Sequence, residues 1–163
     1  METLLGDMRH VRWHELRHAQ GSASQVPGLL SRIAWGDGES AGDALGDLGR
    51  WIGAGALFDS TVAAVPFLWE LADAETVRDR AGVLDLLRTI LAHAHAHGHA
   101  HRPEWTRAAH AAVLVGRPTA ERLAGHGDPA VREAAGTLLA SADAHACGAC
   151  PPARGPLPDA RTA

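Results

Sequence analysis

An all-α fold is what this sequence predicts, for three reasons. Hydrophobic residues make up 46% of the 163 and charged residues 21%, a balance that fills one core. Only 4% are aromatic, with five Trp, two Phe and no Tyr, so alanine and leucine must supply most of the burial. That mixture favours helices over sheets. Apolar residues recur at helical spacing, and no stretch alternates convincingly as a strand does. The same composition excludes collagen-like and wholly disordered chains. No apolar run reaches the roughly 18 residues that a membrane helix needs. The opening stretch from Met1 to His10 lacks the cationic and apolar segments of a signal peptide, so a cytoplasmic location is expected.

Taken in order, a first apolar stripe is Val11, Trp13 and Leu16, ended by His18-Ala-Gln-Gly21. The second segment opens at Ser22 or Ser24 and carries Pro27 in its first turn. Its stripe is Val26, Leu29, Leu30 and Ile33, and Gly36-Asp-Gly38 stops it. A third helix is expected from about Ser40 to Ile52, with Ala44, Leu45, Leu48, Trp51 and Ile52 inward. Gly42, Gly46 and Gly49 each weaken it by roughly 1 kcal/mol relative to alanine, so it needs neighbours. The fourth runs from Thr61 to Ala72, capped by Asp59 or Ser60. The fifth, Thr76 to about His97, carries the widest apolar face: Val77, Ala81, Leu84, Leu87 and Leu91, flanked by Val83, Leu86 and Ile90. Such a helix is covered on more than one side, with Leu87 among the most buried residues. Trp105–Val115 and Thr119–Leu123 follow, and an eighth helix runs from Pro129 to about Ser141.

Eight short segments in pairs suit a bundle or a helical solenoid, and internal similarity favours the solenoid. Val26-Pro27-Gly28-Leu29 recurs 39 residues later as Val65-Pro66-Phe67-Leu68. Helix-pair repeats have periods of about 40–47 residues, and each pair is too small to bury its own face. The expectation is a right-handed α-solenoid of about four helix pairs over residues 1–145. A disordered Pro/Gly/Cys-containing tail is expected over 146–163.

The last helix adds a more specific signal. His126-Gly-Asp128-Pro129-Ala-Val131-Arg132-Glu-Ala134-Ala135-Gly-Thr-Leu138-Leu139 resembles the second half of a HEAT repeat, the armadillo-like family. The mechanics fit: Asp128 accepts from an orphan backbone N–H, and Pro129 suits the first helical position. The resemblance implies that Arg132 pairs with a neighbouring repeat's acidic cap. Over residues 11–92, Trp13-His-Glu-Leu16-Arg-His18-Ala19-Gln-Gly21-Ser22-Ala23, Val26-Pro27-Gly-Leu29-Leu30 and Ala63-Ala64-Val65-Pro66-Phe67-Leu68 are similar to small actinobacterial HEAT-repeat proteins of unassigned activity. One departure is Ile52-Gly-Ala-Gly-Ala56, where that family carries a His-Gln-Gly-Thr-like stretch. The resemblance implies a scaffold or recognition surface, not a reaction.

Among the chemistry-bearing residues, His93, His95, His97, His99 and His101 hold five of the 11 histidines. On a continuing helix His93 and His97 share a face, a spacing that suits one metal ion, and imidazoles suit zinc, nickel or copper. The bland reading is a solvated helix end, where cationic His is favourable. Cys147 and Cys150 form a single CxxC, half of a closed zinc site and without the βαβ setting of a redox pair. Trp13, Trp51 and Trp69 read as core, whereas Trp35, beside Gly36-Asp-Gly38, reads as an exposed interface anchor. A Trp/Asp pair on such helices also resembles the HEAT-like DNA glycosylases, but those need a basic face. All 15 cations here are Arg against 19 acidic residues, a net charge of −4, which argues against nucleic acid. No nucleophile elbow, phosphate loop, dinucleotide fingerprint or zinc-protease motif occurs. The sequence therefore points to a non-catalytic protein-binding scaffold or adaptor, such as a toxin-neutralising partner, with no cofactor and no membrane. The alternative is a metal-binding or metal-buffering protein, with weak zinc or nickel binding by the His93–His101 run.

Overall fold

Seven α-helices are present among the described residues, which are 3–53, 57–96 and 104–144 of a computed structural model, the side chains of 95 and 96 excepted. They are α1 (Val26–Trp35), α2 (Gly38–Leu48), α3 (Asp59–Asp73), α4 (Arg80–Ala96), α5 (Glu104–Val115), α6 (Arg117–Leu123) and α7 (Pro129–Ala144). Residues 54–56, His97, His99, His101, Cys147, Cys150 and the expected tail lie outside the described residues.

The N-terminal segment corrects the expectation of a helix through Val11, Trp13 and Leu16. Short 3₁₀ turns at Gly6–His10, Trp13–Glu15 and Ala23–Gln25 surround a two-stranded antiparallel hairpin, β1 (Arg17–His18) and β2 (Gly21–Ser22). Positions 11, 13 and 16 do not hold one face of a 3.6-residue helix. Gly21 adopts φ +124°, a conformation open to glycine, directly after the two-residue turn Ala19-Gln20. Trp13 is nonetheless buried, its ring tilted against Phe67 at 5.9 Å and its Nε1–H donated to the Met8 carbonyl at 3.0 Å.

Pro27 sits in the first turn of α1, where its missing N–H costs nothing. Asp37 caps α2 by accepting the Ser40 N–H at 2.8 Å. The helix expected to reach Ile52 stops at Leu48 and continues as a π-turn over Gly49–Gly53. There the Ile52 carbonyl accepts the Thr61 hydroxyl at 2.8 Å, and Thr61 Oγ1 accepts the Phe58 N–H at 3.1 Å, joining the turn to the start of α3. The second Val-Pro pair is placed differently from the first: Pro66 lies in the middle of α3, on its exposed side.

α4 begins at Arg80 rather than Thr76, because Asp79 Oδ1 takes the Gly82 N–H at 2.8 Å and so marks the cap. Its expected face is buried apart from Ala81, which is half-buried. Val83, Leu84, Leu87, Ile90 and Leu91 are fully enclosed, with Val77 beneath the preceding turn. The reason is that α3, α5 and α7 all pack on α4. α3 in turn meets α1, α4 and α5, while α6 braces α7. At the end of the chain Val131, Ala135 and Leu138 of α7 face inward and Leu139 is half-buried. α7 extends past the expected Ser141 to Ala144. No helix of the described residues is long and apolar enough to cross a membrane.

Candidate interaction surface

The sharpest surface feature is Trp35, the last residue of α1, with 60% of its area exposed. The joint beneath it is braced. Arg32 donates Nε–H to Ser40 Oγ at 3.1 Å and Nη2–H to the Ser40 carbonyl at 3.3 Å, spanning the α1–α2 turn. With Asp37 holding the Ser40 N–H, both helix ends at this turn are fixed by side chains. A large amphipathic ring on a rigid base is the physical profile of an interface anchor, since the backbone that carries it is already ordered before docking. Trp105 at the start of α5 is 44% exposed, and Val115 at its end is also open to solvent.

A second feature joins the C-terminus of α3 to the loop before α7. Arg80 is only 7% exposed and donates Nε–H to the Ala72 carbonyl at 2.8 Å and Nη2–H to the Asp73 carbonyl at 3.4 Å. A cation here satisfies the carbonyls that every helix end leaves open and suits the negative end of the helix dipole. Arg80 Nη1 also lies 3.1 Å from His126 Nε2, and Arg122 pairs with Asp73 at 2.6 Å. Asp128 caps α7 as expected, accepting the Ala130 N–H at 2.9 Å. Arg132 does not reach an acidic cap: its Nη1 donates to the His126 carbonyl at 2.8 Å, within its own turn. The ladder implied by the resemblance is replaced here by a local brace, because the folded-back 126–128 turn presents its carbonyls first.

Two sites escaped the sequence reading. Trp69, buried as expected, abuts Gly116 so closely that a Cβ there would collide with the indole. Its Nε1–H has no hydrogen-bond partner among the described residues. A shallow depression adjoins it, lined by Leu91, Val113, Leu139 and Ala142. Arg117 at its edge pairs with Asp143 at 2.8 Å and Glu121 at 3.0 Å, and these bonds, Asp143 foremost, raise its pKa further.

The other is the hairpin. Trp51, expected in the core, is half-buried because His18 stacks on it, ring centroids 4.7 Å apart and planes within 13°. The Arg17 N–H donates to Asp59 Oδ1 at 2.9 Å, the Ser60 hydroxyl donates to the Arg17 carbonyl at 2.5 Å, and the Ala19 N–H donates to the Trp51 carbonyl at 3.1 Å. The only available signal was the polar run His18-Ala-Gln-Gly21 itself, which gives no hint of partners 42 and 43 residues away.

Of the histidine run, His93 is half-buried near the end of α4, and the helix continues through Ala96. Among the described residues no group of three His, Cys, Asp or Glu is placed to hold a metal ion. Comparison with known proteins finds no matching family model, no similar curated protein and no similar solved structure.

Proposed function

We propose that this protein is a non-catalytic recognition scaffold, a short right-handed array of HEAT-like helix pairs that binds another protein through an exposed face. Three neighbour relations support the array: α1 pairs with α2, α3 with α4, and α6 with α7. Consecutive pairs also touch, through α1 with α3 and α4 with α7, as stacked repeats do. The observation that carries the binding function is Trp35, exposed on a side-chain-braced turn. Tryptophan is among the residues most enriched where interfaces concentrate their energy, and a rigid mount lowers the cost of using it.

The test is a comparison of the wild-type chain with Trp35→Ala as immobilised baits. A partner retained by the first and weakened at least tenfold by the second, about 1.4 kcal/mol, supports the reading. Equal retention by both would show that Trp35 is not the anchor.

A further inference from the structure

Of the six residues in the 17–22 hairpin, only His18 is buried, with 6% of its area exposed. The hairpin's docking therefore rests on one imidazole and a few directional bonds. His18 Nδ1 accepts the Gln20 N–H at 2.9 Å. A neutral imidazole accepts at one nitrogen only, so this bond places the ring proton on Nε2. A second proton must go to Nδ1. It would meet an N–H that offers no acceptor, so the bond is lost and two donors face each other.

The charged groups around the ring are accounted for. On α3, Asp59 Oδ1 already accepts the Arg17 and Ser60 N–H groups. Asp47 of α2 and Arg50 of the π-turn pair with each other. On the N-terminal segment, Glu15 lies against Arg12 and His14, while Arg17 is exposed. None of these carboxylates holds the imidazolium. Burial lowers the His18 pKa below its usual 6.5. Against the attraction of an imidazolium for an indole face stand the desolvation of a buried ring and the loss of the Gln20 bond.

We propose that the 17–22 hairpin is a clasp which protonation of His18 opens, uncovering one face of Trp51 and the first turn of α3. Above pH 6.5 the ring is neutral whether the clasp is closed or open, and closure is fully favoured. Between 6.5 and the lowered value only the open form takes up a proton, so acid progressively favours opening. Below the lowered value the loss is complete.

Amide hydrogen exchange of the full chain, corrected for intrinsic rates, tests this between pH 7.5 and 5. Protection at Arg17, Ala19 and Gln20 should fall by up to about tenfold per pH unit below 6.5, one proton's worth, while Leu87 stays protected. The His18 ring resonances should titrate over the same range. His18→Asn keeps an acceptor and does not titrate, so its clasp amides should be insensitive to pH. Wild-type protection that ignores pH, loss shared by Leu87, or the same pH dependence in His18→Asn would each overturn the clasp. So would a ring that titrates while the clasp amides stay protected, a measurement that needs no variant.

Discussion

The N-terminal segment and α4 both pack against α3, yet different forces hold them there. α4 is attached by three fully buried leucines and an isoleucine, Leu84, Leu87, Leu91 and Ile90, which share one continuous core with Leu68 and Leu71 of α3. The N-terminal segment buries few large side chains, chiefly Leu5 and Trp13, and otherwise depends on individual polar bonds. The Leu5 N–H donates to Glu70 at 2.8 Å, Arg17 bonds Asp59 and Ser60, and Ala19 bonds the Trp51 carbonyl. Apolar burial is non-directional and shared over many contacts, so it holds α4 under any ordinary condition. A seam of directional bonds can be opened one group at a time, and a titratable group within it makes it responsive.

The largest effect should come from the apolar side of this contrast. Leu87→Ala is expected to cost about 2–5 kcal/mol, because the ring of helices around α4 cannot fully collapse into the space left. Total stability of a domain this size is only about 5–15 kcal/mol, so the urea midpoint should fall sharply. An unchanged midpoint would mean that α4 is not the centre of the core. Gly116→Ala comes next. Its Cβ would enter the Trp69 indole, and overpacking of this kind costs about 1–3 kcal/mol. Near-ultraviolet circular dichroism should report the displaced ring; an unaltered spectrum and melting temperature would show that the α5–α6 turn yields freely.

The same contrast explains what the sequence revealed. Leu84, Leu87 and Leu91 announce their face by spacing alone, and Asp128-Pro129 announces the start of α7 by local capping chemistry. Both signals lie within a few residues. The hairpin and the N-terminal segment depend on groups far along the chain, and the π-turn and the buried Arg80 on an adjoining element. Arg17 finds its partner 42 residues away, Leu5 finds Glu70 65 residues away, and Ile52 is stopped by Thr61. Arg80 turns back to the Ala72 carbonyl, so its burial follows from the end of α3 rather than from any periodicity of α4. Trp35 was legible as exposed because the Gly36-Asp-Gly38 break follows it directly. His18 was not, since a lone histidine in the polar run up to Gly21 reads as a loop residue until Trp51 is folded over it.

A smaller and local effect is expected from the polar seam. Ser60→Ala removes the donor to the Arg17 carbonyl and should cost about 0.5–1.5 kcal/mol. If the hairpin detaches without the core, the loss appears in exchange at Arg17 and Ala19 while Leu87 keeps its protection. If Ser60→Ala instead lowers protection at all three equally, the seam and the core unfold as one unit and the contrast drawn above fails.

The smallest effect on stability should be that of Trp35→Ala. Exposed substitutions away from caps and cores usually stay within about 0.5 kcal/mol. Trp35 makes neither of the bonds that brace its turn: Arg32 and Asp37 do, both onto Ser40. Truncating the ring therefore leaves the α1–α2 joint intact and removes a surface that lies mostly in water. Thermal melting should be indistinguishable from wild type. That neutrality separates the two possible reasons for a tryptophan at this position. A ring that packs would register in the melting temperature, and a ring held out for a partner registers only in binding. A drop of several degrees would place Trp35 among the residues that hold α1 in place, and the anchor would have to be sought at Trp105 instead.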